Sequence, residues 1–224
     1  MGEHVDKMIN VVTSCSFAAL GMECLFSSDF EKKINVVRDA RNIPRLEEGI
    51  VVLLIVDLSS LCSIADLRRN LNFFRNYKGK KRVGVIVSRY NVHVSKAIFL
   101  WLREKCVFFM PRNLTSFSRQ VLLWIKGRTV NTFPVVYNCR DSRYHLSLWE
   151  LIILIFSIAG EPPANLATIL KIPLRTLYYK RDSGARKLGL NGYKDFCMAY
   201  MRGNVRLEIE RLVNILGRCL VLEN

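Results

Sequence analysis

Residues Leu146 to Leu190, LSLWELIILIFSIAGEPPANLATILKIPLRTLYYKRDSGARKLGL, decide how the C-terminal part of the chain folds. Leu148, Leu151, Ile152, Ile155 and Phe156 recur at three- and four-residue steps, the period of one helical face. Ser147 precedes them and Glu150 follows three residues later, the spacing of a capping box. Gly160 ends this helix. Pro162 and Pro163 open the next, because a proline in the first turn removes no intrahelical donor. Leu166, Ile169 and Leu170 give the second helix its inner face, and Ile172-Pro173 interrupts it. A third helix is predicted from about Leu174 to Leu188. At about 100° per residue, Leu174, Leu177, Gly184, Ala185 and Leu188 fall on one arc, which is expected to pack inward. Arg175, Tyr178, Tyr179, Asp182 and Arg186 fall on the opposite arc, which is expected to face solvent.

Two readings fit this spacing. One is a helix-turn-helix, whose second helix enters the DNA major groove; the other is a small three-helix bundle with a solvated charged face. The pattern Leu146, Ser147, Glu150, Leu154, Gly160, Leu166-Ala167, Leu170, Ile172, Thr176-Leu177 and Lys187-Leu188-Gly189 resembles the LuxR/FixJ-type DNA-binding domain without a gap, over about a quarter of the chain. Within that family the resemblance is to the branch containing RcsB and its auxiliary partners RcsA and BglJ. The chain departs from the family at Pro162 and Pro173, where Ser or Thr caps are usual, and at Asp182, where a DNA-contacting lysine is frequent. The resemblance implies a transcription regulator that binds double-stranded DNA as a homodimer, or as a heterodimer with an RcsB-like regulator. Residue chemistry then divides the roles. Tyr178, Tyr179 and Asp182 are suited to base edges, while Lys171, Arg175, Lys180, Arg181, Arg186 and Lys187 are suited to phosphates, with Thr176 beside them. A fourth helix from Tyr193 to Met201 follows the turn at Asn191-Gly192. In this family it supplies the dimer contact, for which Tyr193, Phe196, Cys197, Tyr200 and Met201 are the candidates; packing on its own domain is the alternative.

Upstream, short apolar runs alternate with helical periods. Met8 to Val12, Ile34 to Val37, Ile50 to Val56, Val83 to Val87 and Val107 to Met110 read as strands. Phe17 to Phe26, Leu67 to Tyr77, Ala97 to Leu102 and Ser118 to Trp124 read as helices. The run IVVLLIV at Ile50 to Val56 suits a central strand covered on both faces. The fold class expected is therefore α/β, a doubly wound, flavodoxin-like N-terminal domain, joined to an all-α helix-turn-helix domain. The expected boundaries are 1–128 for the first domain, 129–143 for a linker, 144–203 for the helical domain and 204–224 for an amphipathic C-terminal helix.

Five strands alternating with five helices, Asp57 after the third strand and Ser88 after the fourth resemble a response-regulator receiver domain. A working receiver needs acidic metal ligands after the first strand, a nucleophilic aspartate after the third and a lysine after the fifth. Thr13-Ser14-Cys15 replace the acids and Met110-Pro111 replaces Lys-Pro. The phosphoacceptor position, Asp57, is therefore expected to be inactive and the domain degenerate. A phosphorylation-switched regulator and a protein that titrates another regulator without reading DNA are the alternatives.

The chain has 224 residues, half of them hydrophobic, and a net charge of +15. Such a balance suits nucleic acid or an anionic surface. Residues 1–140 hold 22 basic and 11 acidic side chains, so most of the excess lies outside the helix-turn-helix. Seven cysteines without a CxxC pair read as reduced core residues, and His4, His93 and His145 are scattered. No metal, no cofactor and no enzymatic activity are expected. No apolar run approaches the ~20 residues of a membrane span and no secretory leader is visible, so a cytoplasmic protein without a membrane partner is expected.

Overall fold

The computed structural model describes residues 8–27, 34–44, 49–58, 60–88, 94–130 and 144–203. The predicted linker from residue 131 onward and the amphipathic segment 204–224 lie outside the described residues.

Five parallel strands, β1 (Ile9–Val12), β2 (Ile34–Val37), β3 (Ile50–Ile55), β4 (Lys81–Ile86) and β5 (Val107–Phe109), form one sheet in the order β2-β1-β3-β4-β5. Helices α1 (Ser16–Ser27), α2 (Leu61–Asn76), α3 (Ser95–Trp101) and α4 (Leu114–Ile125) alternate with them. This is the doubly wound receiver-like arrangement, with the chain reversing its direction of winding at the β1/β3 pair. Between β2 and β3 the described residues hold a 3-10 turn, Ala40–Asn42, in place of the fifth helix expected from the alternation. Helix α2 begins at Leu61, six residues before its predicted start, because Ser60 accepts from the Ser63 backbone amide and caps it. Asn113 caps α4 in the same way through Ser116.

The C-terminal part contains α5 (Leu148–Ile158), α6 (Pro163–Leu170), α7 (Leu174–Lys187) and α8 (Tyr193–Met201). Ser147 and Glu150 make the capping box read from the sequence. Gly160 adopts a positive φ of 85°, which ends the helix with no Cβ penalty. Ile172 amide donates to the Ala167 carbonyl while Lys171 takes the left-handed conformation, turning the chain from α6 into α7.

Sequence periodicity assigns α5 one apolar stripe, yet every residue from Leu148 to Ser157 except the half-buried Trp149 is buried. A helix that is hydrophobic all round needs cover on every side. One side of α5 meets α6 and α7, and the other meets α2 of the sheet domain. Apolar residues of both domains accordingly belong to a single core cluster. At the seam the rings of Trp101 and Phe156 lie 4.9 Å apart, and Trp101 Nε1 donates to Asn72 Oδ1 at 2.9 Å. Around them Arg68 Nη1 donates to the Gly160 carbonyl at 2.7 Å and to the buried Glu161 carboxylate at 3.3 Å. Asn72 Nδ2 donates to the same carboxylate at 3.2 Å.

The expectation of uniformly buried cysteines fails at Cys24 and Cys62, both exposed on α1 and α2. Each sits on a helix whose other face reaches the sheet. Among the described residues no helix is long and apolar enough to cross a membrane.

Phe156 is fully buried at the junction of the two domains. Its replacement by Ala is expected to cost about 3–5 kcal/mol, read as a lower urea midpoint by circular dichroism.

Candidate nucleic-acid interface

The position of α7 is fixed from beneath by one carboxylate. Glu150, buried in the first turn of α5, accepts from the Ser147 amide at 2.7 Å and from the Ser147 hydroxyl at 2.9 Å. It also accepts from Ser183 Oγ at 2.8 Å and Lys187 Nζ at 2.8 Å, both on α7. Lys187 further donates to the His145 carbonyl at 3.0 Å. Close packing completes the attachment, since a Cβ on Gly184 would meet Leu154 Cδ1 at 3.0 Å and Glu150 Cβ at 3.2 Å. Leu177, Gly184 and Ala185 are buried and Leu188 packs against the same core, as the arc predicts. Leu174 is 41% exposed, which corrects its inward assignment. It is the first residue of α7 and precedes the turn that meets α5.

Opposite this attachment Arg175, Tyr178, Tyr179 and Arg186 are exposed, with Tyr179 at 69%, and Lys180 and Thr176 are half-buried. Four other expected contact residues are engaged within the protein. Asp182 turns toward α8, where Oδ1 accepts from the Tyr193 amide at 3.3 Å, so its carboxylate caps a helix and does not project with the tyrosines. Lys187 is held by Glu150, and Lys171 forms an ion pair with Glu104 at the end of α3. Arg181 lies between two rings, its guanidinium carbon 4.9 Å from the Tyr178 centroid and 4.0 Å from that of Tyr193. In each case the partner is a group from another element: a backbone amide for Asp182, a carboxylate for Lys187 and Lys171, and the Tyr193 ring for Arg181.

Helix α8 divides the expected seam. Phe196 and Tyr200 are buried against their own domain and Tyr193 stacks on Phe196 with centroids 6.0 Å apart, so these residues serve the local core. Met198 and Met201 form the outward apolar face, with Met201 at 74% exposure, and Cys197 is half-buried. Burial and a hydrogen bond with Cys197 raise the Tyr193 pKa, so the phenol stays protonated at neutral pH.

Sequence reading gave Glu150 its cap but missed its reach to Ser183 and Lys187, and missed the seam role of Glu161. Their signal was the scarcity of carboxylates in a stretch rich in cations, together with the placement of Glu150 in a cap.

No known protein-family model matches the sequence, and no curated protein matches it. Solved structures do match. RcsB from Salmonella typhimurium is 14% identical, with 89% of this chain and 98% of that chain covered and a TM-score of 0.43. The response regulator ChrA of a heme-sensing two-component system is 18% identical over 90% and 100% of the two chains, with a TM-score of 0.40. FixJ from B. japonicum is 13% identical over 88% and 96%, with a TM-score of 0.37. These neighbours are response regulators of the LuxR/FixJ type. Identities and TM-scores this low say nothing of what the present chain binds.

In the sheet domain, Thr13, Ser14 and Cys15 follow β1, and Asp57 Oδ2 accepts from Ser14 Oγ at 3.3 Å. Met110 and Pro111 follow β5. Among the described residues no group of three His, Cys, Asp or Glu side chains is placed to hold a metal ion.

The Glu150 carboxyl gives a pH test. Burial pushes its pKa up, but the bonds from Lys187, Ser147 and Ser183 outweigh burial and the net shift is downward from 4.5. A pKa lowered on folding contributes stability above pH 4.5 that is lost as the pH falls below it. Urea midpoints measured from about pH 6 to about pH 3.5 are expected to decline, and Glu150→Gln is expected to flatten that decline while costing about 1–3 kcal/mol at the upper end.

Proposed function

We propose that this chain is a DNA-binding transcription regulator that reads the major groove with α7. The observation that carries this reading is the two-sided character of that helix. Its inner side is pinned to α5 by Glu150, and its outer side offers Arg175, Tyr178, Tyr179, Lys180 and Arg186 to a ligand. Guanidinium and ammonium groups suit phosphate oxygens, and two neighbouring tyrosines suit base edges and thymine methyls. The sheet domain meets α5 and α6, the sides of the helical domain away from the outer arc of α7. Thr176, Lys171, Arg181, Asp182 and Lys187 belong to the same interface as residues that place it, and Lys171 and Lys187 become phosphate ligands only by leaving Glu104 and Glu150.

The active species in this proposal is a dimer, formed with a second copy or with an RcsB-like regulator. Exposed Met198 and Met201 on α8 support an apolar contact there. A single half-site gains affinity and defined spacing by such pairing.

We further propose that the sheet domain acts without phosphorylation. Phosphoryl transfer to Asp57 would need charge neutralised on the attacking and leaving oxygens, and hydroxyl and thiol groups stand where metal acids are required. The bulky thioether of Met110 supplies no cation. Each ~1.4 kcal/mol of lost transition-state stabilisation slows the reaction about tenfold.

Two measurements test these statements. Arg175→Ala and Arg186→Ala are each expected to weaken binding to every duplex and to reduce the salt slope by about 0.9, measured by fluorescence anisotropy at several salt concentrations. Unaltered binding in both variants would remove α7 from the interface. For the sheet domain, Asp57→Ala is expected to leave regulation in cells unchanged, and acetyl phosphate with magnesium is expected to add no phosphoryl mass to the protein. A phosphorylated Asp57 peptide would restore the switched regulator.

A further inference from the structure

The second half of α7 contains a half-buried cation, Arg181, whose guanidinium lies against two aromatic rings. Arg181 sits one turn after Tyr178, so the two side chains share a helix face, and Tyr193 of α8 closes over the other side. Both ring centroids lie within the ~6 Å over which a guanidinium is attracted to an aromatic face. Arg181 Nε is buried without a hydrogen-bond partner, so the rings rather than hydrogen bonds hold that end of the side chain. Tyr193 is in turn held by its ring, which stacks on Phe196, by its amide, which donates to Asp182, and by a hydrogen bond with Cys197. Consecutive residues of α7, Arg181 and Asp182, thus grip the first residue of α8 by its ring and by its backbone.

We propose that Arg181 is a positioning residue, not a phosphate ligand: clamped between Tyr193 and Tyr178, it fixes the ring that α7 presents to the bases. A residue of α8 that touches no DNA then contributes to the choice of sequence. The inference rests on the DNA-reading role of α7. An arginine is required for the task, because a planar guanidinium stacks on both rings whereas a lysine ammonium is a compact, strongly hydrated charge.

The test uses the full-length chain with a preferred duplex selected from a random pool and a scrambled duplex of equal length, at several salt concentrations. Arg181→Met, Arg181→Lys and Tyr193→Leu are each expected to lower the preferred-to-scrambled affinity ratio about threefold to tenfold, with the salt slope unchanged. Tyr193→Phe keeps the ring and is expected to keep the ratio. The Arg181→Met/Tyr193→Leu double variant is expected to be no worse than either single one, since both break the same stack. A phosphate ligand behaves oppositely: Arg181→Met would lower the slope by about 0.9 with the ratio unchanged, and Arg181→Lys would restore binding, which overturns the proposal. If Tyr193→Leu does not fold by circular dichroism, Arg181→Lys and Tyr193→Phe decide the matter. The Tyr178 ring signals, recorded by NMR without DNA, separate the two possible failures. They are expected to move in Arg181→Lys and to stay in place in Tyr193→Phe. Unmoved signals in Arg181→Lys overturn the clamp itself, whereas moved signals in a chain with no duplex preference overturn the reading function and the positioning role with it.

Discussion

The buried carboxylate of Glu150 is the interaction on which the helical domain depends. Four donors converge on it from two helices, so a single side chain caps α5 and sets the height and rotation of α7. A buried charge is tolerated only when its lone pairs are satisfied, and here the Ser147, Ser183 and Lys187 donors do that together. Gly184 completes the arrangement by leaving room for the Leu154 and Glu150 side chains of α5. The direction in which Tyr178, Tyr179 and Arg175 point is therefore fixed from the buried side of α7, before any ligand arrives.

Around Asp57 the residues that follow β1 are neutral, and the position after β5 holds Met110. The sheet domain instead invests its polar and aromatic residues in the seam with α5, where Trp101, Asn72 and Arg68 meet Phe156, Gly160 and Glu161. An apolar cluster running through both domains makes their separation costly, since exposing the seam would return both α2 and α5 surfaces to water. The sheet domain thus supports the helical one through that shared core.

Intramolecular pairing also explains why the strong net charge of +15 is an incomplete guide to the interface. Lys171, Arg181 and Lys187 are all cations in or beside α7, and each is committed to a neighbour within the protein. The cations left on the outer arc, Arg175 and Arg186 with Lys180, are few. Most of the excess positive charge therefore resides in the N-terminal region, away from α7.

Much of the architecture was legible in the sequence because it follows from local rules. Alternating apolar runs and helical periods specified an α/β sheet followed by helices, and the capping box at Ser147-Glu150, the positive-φ stop at Gly160 and the prolines at positions 163 and 173 marked helix ends through backbone chemistry alone. The rotation of α7 was legible for the same reason, since a 100° step per residue is intrinsic to the helix. Contacts between residues far apart in the chain were not. Sequence periodicity could not show that Asp182 would cap α8, that Lys187 would reach back to Glu150, or that Arg181 would be enclosed by Tyr178 and Tyr193, because a side chain's direction depends on which distant element packs against it. Nor could it show that α5 would be covered on both sides, although the unbroken run LWELIILIFSI carried that signal in its lack of a polar face. The sequence by itself determined the elements, their order and the outward arc of α7. Tertiary packing decided which charges on that arc remain available, because a buried carboxylate or an aromatic ring claims any cation brought within its reach.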